Sequence, residues 1–447
     1  MNFFVRCAIY TTFVLVSCLI APVFAQPQLT LDYAVRLAQE SDPWLDGSHL
    51  RQEAMDAQSV AASALPDPTV SVGFANVPID SFGFNQEPMT QLVVGVSQTF
   101  PRGDTRSLRG QQLSQASNQQ PLMRADRKAK VAVTVSKLWM ENYRYSETIR
   151  LVEQDRSLFD YLADVAESAY SNALTRTSQQ DVIRTQVELT RLDDRLTALR
   201  QNRDMILVKL AEWLFDSELA TLLLSIEFPD LRLTHGTQVT SLSDSVIERI
   251  LLGHPNLKSL DLHIQANSTG VELAKQKYKP QWGLNASYGY REDDPIGRDR
   301  ADFFSVGLRF DVPLFTGKRQ DKEVQSAVAL WDETKTQKIL ALRAMRASFK
   351  SSVAALERLD QRKALYESRL LTEVNDQAEA SLNAYTNDNG DFDEVMRARI
   401  TELNTNIDFL NIRIDRLKTI AEINYFFTSA EPYVKKDGAQ TGVLSLD

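Results

Sequence analysis

From about Asp104 to Ala173 the only helix breakers are Gly110 and Pro121, and apolar residues return every 3 or 4 positions. Val131, Val135, Leu138, Tyr145, Ile149, Val152, Phe159, Ala166, Tyr170 and Ala173 trace one stripe, with Asn142, Arg156 and Ala163 filling its gaps. A mean spacing of about 3.5 is that of a coiled-coil seam. The next segment repeats it through Val182, Leu189, Leu192, Leu196, Leu199, Ile206, Leu210 and Trp213. Met396, Ile400, Leu403, Ile407, Leu410, Ile414, Leu417 and Ala421 do the same near the C-terminus. At ~1.5 Å per residue, a helix of roughly 70 residues is about 105 Å long. Helices of that length predict an elongated bundle or tube, because no ordinary globular core is so wide.

The chain is also written twice. "SDPWLDGSHLRQEAMDAQ" resembles "GHPNLKSLDLHIQANSTG", each a helix opening at a proline. Pro66 and Pro280 correspond at an offset of 214, and Gly103 and Gly317 correspond at the same offset. "DVIRTQVEL" faces "EVMRARITEL". The unit repeated is helix, strand, strand, long helix, helix.

The strands are the second constraint. In "WGLNASYGYR" Trp282, Leu284, Ala286, Tyr288 and Tyr290 share one side, and Gly283, Asn285, Ser287, Gly289 and Arg291 the other. In "DFFSVGLRFDV" Phe304, Val306, Leu308, Phe310 and Val312 alternate with Ser305, Gly307, Arg309 and Asp311. "TVSVGFAN" and "QLVVGVSQTF" complete the set, and polar or turn-rich loops join each pair. One face is apolar and the other polar or small, which is the pattern of a transmembrane β-barrel. Tilted strands of about 9–11 residues span a bilayer. Four strands cannot close a barrel, for which about eight are needed. Several chains must therefore pool their hairpins, and three copies would supply twelve strands around a lumen.

The N-terminus reads as a signal peptide: Arg6, an apolar run, then Val23 and Ala25 at the −3 and −1 positions, with cleavage before Gln26. The alternative is a lipoprotein signal in "LVSC", leaving Cys18 acylated. Cys7 and Cys18 are the only cysteines, so the remainder contains no disulfide framework or thiolate metal site. No later apolar run reaches about 18 residues. The reading divides the chain into a signal peptide (1–25), a first repeat (26–215), an inter-repeat segment (216–241), a second repeat (242–428) and a polar C-terminal tail (429–447). Within the first repeat, strands are expected at about 69–76 and 91–100 and long helices at about 104–173 and 178–214. Within the second, strands are expected at about 282–291 and 302–312 and long helices at about 317–386 and 391–427.

The tandem order of elements, the hairpins, and "LPDPTVSVG" and "VPLFTGKR" resemble the TolC-like outer membrane efflux family over nearly the whole mature chain. The resemblance implies a homotrimer with a twelve-stranded barrel in the outer membrane of a Gram-negative bacterium. A periplasmic α-helical coiled-coil barrel would continue from it. It implies an exit channel of a tripartite pump, with a periplasmic adaptor and an inner-membrane transporter, expected to be of the RND type, as partners. A duct for type I protein secretion is the alternative. "ALPDPTVSVGFANVPID" and "QEPMTQ" resemble the family's heavy-metal branch. The family's entrance lies at the turns between paired helices, here "SNALTRTSQQD" and "TNDNGDFDE". By that resemblance Thr175, Arg176, Thr177, Asn389 and Gly390 would meet the adaptor. Asp181, Arg184, Asp388, Asp391, Asp393, Glu394 and Arg397 would line an acidic entrance, closed by Arg397 pairing with a neighbour. Three copies of a charge around one axis act strongly on ions.

Other chemistry finds no support. A net charge of −9 argues against nucleic-acid binding. His49, His235, His254 and His263 have no metal-ligand spacing. There is no P-loop and no hydrolase elbow. Neither enzyme nor cofactor is expected. A periplasmic coiled-coil adaptor is the rival from another class, and it would carry soluble β-domains instead of aromatic-ended strands.

Overall fold

A computed structural model describes residues 30–171, 179–214, 228–234, 236–387 and 391–429. The first half opens with α1 (Leu31–Glu40) and α2 (Pro43–Ser63), followed by β1 (Thr69–Ala75) and β2 (Gln91–Phe100). Then come α3 (Thr105–Ser117), α4 (Gln119–Ser171) and α5 (Gln179–Leu214). A 3₁₀ turn at Gly236–Ser241 leads to the second half: α6 (Asp244–Leu252), α7 (Pro255–Lys275), β3 (Trp282–Tyr290), β4 (Phe303–Phe310), α8 (Gln320–Leu365), α9 (Leu371–Thr386) and α10 (Phe392–Phe426). The element order of the second half repeats that of the first.

Local chemistry sets these boundaries. Pro43 and Pro255 stand in the first turns of α2 and α7, where a missing N–H costs nothing. Asp42 caps α2 by accepting from the Trp44 amide at 3.0 Å. At the equivalent place His254 caps α7, its Nδ1 accepting from the Asn256 amide at 3.2 Å. The stretch expected as one helix over 104–173 is two. Pro121 cannot donate to the carbonyl four residues back, and it is tolerated because α4 starts only two residues before it. The counterpart expected over 317–386 starts at Gln320 and carries a π turn at Tyr366–Leu370 between α8 and α9. Helices α1 and α6, with 10 and 9 residues, were not read from the sequence.

The strands form one antiparallel sheet in the order β1-β2-β3-β4. Its central ladder joins the two repeats, with Phe100 opposite Trp282 and Val96 opposite Ala286. Register turns alternation into rows. Val70, Val96, Ala286 and Val306 lie side by side, as do Val72, Val94, Tyr288 and Phe304, and Phe100, Trp282 and Phe310. On the other face Ser71, Gly95, Ser287 and Ser305 make one row, and Thr69, Ser97, Asn285 and Gly307 the next. β1 and β4 are both edges.

Among the described residues the helical body has two apolar cores, with Leu151 packed against both. The larger joins α1, α4, α5, α6, α7, α8 and α10 through Val135, Trp139, Leu210, Leu257, Phe349 and Ile414. The smaller lies toward the free ends of α4, α5 and α10 and contains Val152, Phe159, Leu196, Val395, Met396 and Leu403. α10 runs through both, with buried residues from Phe392 to Phe426.

Candidate functional site at the helix tips and the strand face

At the start of α10, Asp391 is the N-cap, its carboxylate accepting from the Asp393 amide at 3.2 Å. An acid suits this end of the helix dipole. Asp393 has a different role. Arg184 from α5 forms an ion pair with it. Arg397, one turn on, sets its Nη2 3.5 Å from the same carboxylate and donates to the Asp393 carbonyl at 3.3 Å. Of the residues expected at an entrance, the structure thus brings Arg184, Asp393 and Arg397 together, and Arg397 finds its partner within its own chain. Glu394 is exposed beside them. Thr175, Arg176, Thr177, Asp388, Asn389 and Gly390 lie outside the described residues, as does the side chain of Asp181.

Sequence reading missed a carboxylate farther along the same seam. Asp155 of α4 is half-buried beside Glu402 and Arg399 of α10. Burial first, and Glu402 second, push its carboxyl up to about 6, while Arg399 pulls the other way. Arg399 donates to Glu402 at 2.8 Å, and both are largely buried. The signal was Arg156, a charge standing on the apolar stripe. Arg156 bridges α4 to α5, 2.6 Å from Asp193 and 2.7 Å from Asp160.

Of the histidines, His254 is fully buried, and burial holds its pKa below the usual value. Its Nε2 lies 3.1 Å from the Tyr425 carbonyl oxygen. With Nδ1 accepting from the helix, Nε2 carries the proton and donates, so the ring is neutral. The Tyr425 hydroxyl in turn donates to Asp126 at 2.8 Å. These contacts tie α7, α10 and α4 at the larger core. Part of the 216–241 segment packs here too: Phe228 meets Tyr143 edge-on at 5.3 Å, and Arg413 lies over its ring at 4.0 Å.

The strand face is the other unusual surface. Val72 and Phe304, at the two ends of one row, are 68% and 72% exposed. So are most members of the other apolar rows. A contiguous apolar sheet face with open edges is not stable against water. Among the described residues no helix is long and apolar enough to cross a membrane.

No protein-family model matches the chain, and no curated protein matches it. Solved structures do. The outer membrane protein VceC from Vibrio cholerae aligns with a TM-score of 0.72 at 16% identity, over 90% of this chain and 97% of that one. The Campylobacter jejuni CmeC outer membrane channel aligns with a TM-score of 0.73 at 14% identity, over 89% and 85%. The outer-membrane channel OprN aligns with a TM-score of 0.75 at 12% identity, over 90% and 91%. The chain has the fold of TolC-like outer-membrane channels.

Proposed function

We propose that this protein is the outer-membrane exit duct of a tripartite efflux system, passing cargo passively from periplasm to outside. The observation that carries the reading is the sheet. Each chain presents rows of apolar side chains on one face, rows of serine, glycine and asparagine on the other, and two open edges. Lipid on the first face, water on the second and a further copy at each edge satisfy all three surfaces at once. Three copies make twelve strands, and the joined helices continue the wall into the periplasm. A soluble adaptor has no use for such a sheet.

The partners in this reading are a periplasmic adaptor and an inner-membrane transporter of the RND type, exporting heavy metals or drugs. The Arg184–Asp393–Arg397 cluster and the acids Asp391 and Glu394 stand at the entrance end. In this reading the energy comes from the transporter. The test is direct: purify the chain from membranes and apply it to a planar bilayer. A detergent-requiring trimer that conducts ions supports the reading. A monomer that dissolves without detergent and conducts nothing ends it.

A further inference from the structure

The base of the sheet, where strands hand over to helices, is tied by an ionic network. Arg102 donates to the Lys279 carbonyl at 2.8 Å and pairs with Asp311, whose other oxygen accepts from the Gln281 amide at 2.7 Å. Lys279 pairs with Asp104 at 3.0 Å, and Lys277 with Glu323 at 2.8 Å. The Tyr278 hydroxyl donates to Asp321 at 2.7 Å. Each carboxylate here thus has a partner.

Among these groups lies a cleft of about 460 Å³, lined by Arg102, Arg109, Lys277, Arg319 and Gln320, with Leu273 at its back. Two of its four cations are committed. Arg109 and Arg319 are exposed, and neither meets a carboxylate within ion-pair distance among the described residues. The cleft also receives the first turn of α8, whose N-cap, Arg319, makes no side-chain cap. Gln320, 8% exposed, has an Oε1 with no partner. Two guanidiniums without a carboxylate and the Gln320 side-chain amide line one cavity at the first turn of α8, and cations with an amide donor are the chemistry that holds an oxyanion.

We propose that this cleft binds a phosphate group. Its position favours the phosphate of a phospholipid headgroup. The lowest apolar row, Phe100, Trp282 and Phe310, ends just above it. Leu314 and Phe315, separated from Lys318 and Arg319 only by Thr316 and Gly317, are 73% and 91% exposed. Apolar side chains followed by cations match the boundary between acyl chains and headgroups. The cleft is formed within one chain, by α3, α7 and α8, so it does not depend on a neighbouring copy. Only the lipid source rests on the membrane reading above.

The test compares wild type with Arg109→Gln/Arg319→Gln, and with Lys322→Gln as a surface control outside the cleft. Native mass spectrometry of protein released from membranes counts retained phospholipid. A ³¹P NMR titration of the same samples with inorganic phosphate reads the cleft without lipid. Circular dichroism establishes that the variants fold. Lipid retained by wild type and by Lys322→Gln, but reduced about tenfold or more in the double variant, supports a headgroup site. Inorganic phosphate binding that the double variant loses, without lipid retention, supports the cleft with a soluble phosphate as occupant. Equal lipid retention and equal phosphate response in all three proteins overturns the proposal. Absence of the protein from the outer membrane defeats the proposed function instead, and the phosphate titration still decides the cleft.

Discussion

Asp155→Asn is the sharpest test of how the tip of the helical body is held. Asp155 carries a carboxyl at about 6 against an ordinary 3.8, raised mainly by burial and then by Glu402. Fully expressed, that difference disfavours the ionised form by about 3 kcal/mol. The group keeps some contact with solvent, and screening reduces the figure to about 1 kcal/mol. The sign follows from the raised value. At pH 8 the native state holds a charged, half-buried carboxylate that the unfolded chain holds freely in water, so Asp155 destabilises. As the pH falls through about 6 the native carboxyl takes up a proton and the penalty fades. It is gone below the unfolded value. Asparagine copies the protonated form in shape and removes the charge.

The assay is native-state hydrogen exchange of amides around Phe159 on α4 and Leu403 on α10, both in the smaller core. The ratio of variant to wild type is taken at each pH, so the intrinsic pH dependence of exchange cancels. At pH 8 the variant should exchange about fivefold more slowly, the equivalent of ~1 kcal/mol. At pH 3, below the unfolded value, the ratio should approach one. A ratio that is the same at both pH values would refute the reasoning, because the effect would then be packing and not charge.

Three further outcomes follow from the geometry. Val306→Arg places a charge in an apolar row and should cost about 2–4 kcal/mol of folding into vesicles by urea titration, whereas Ser305→Arg on the opposite face should cost under about 1; equal losses would remove the lipid assignment. Gly103→Ala should lower stability by about 1–3 kcal/mol, because φ is +45° and a Cβ there would lie 2.5 Å from Gln276 and collide with Lys279; an unchanged melting curve would contradict this. Glu394→Ala should reduce cation selectivity in single-channel recordings with little change in stability, while Asp391→Ala should also lose a helix cap worth about 1 kcal/mol; selectivity unchanged in both would end the acidic-entrance reading.

Sequence reading captured the features that repeat. The 3.5 spacing of Val131, Val135 and Leu138 and the alternation of Trp282, Leu284 and Ala286 are statements about single segments, so one segment suffices to see them. Long helices and a four-stranded antiparallel sheet follow. α1 and α6 escaped because nine or ten residues hold too few turns to establish a period. At the tip, Arg184, Asp393 and Arg397 were all named, but the pairing of Arg184 with Asp393 depends on how α5 lies on α10, whereas Arg397 meets Asp393 one turn away on the same helix. Asp155 escaped for a like reason: its perturbation comes from burial first and from Glu402 second, and Glu402 lies on a helix far along the chain. In the sequence His254 shows only a lack of metal-ligand spacing, and the fold reveals it as the counterpart of the Asp42 cap.

The ladder between β2 and β3 dictates an order of assembly. Phe100 cannot meet Trp282 until the whole helical stretch between them has been made. The α4–α5 hairpin has only neighbours to find and can form at once, whereas the sheet must close a very long loop. The greasy rows are therefore completed late, after the chain has already built the rod that carries them.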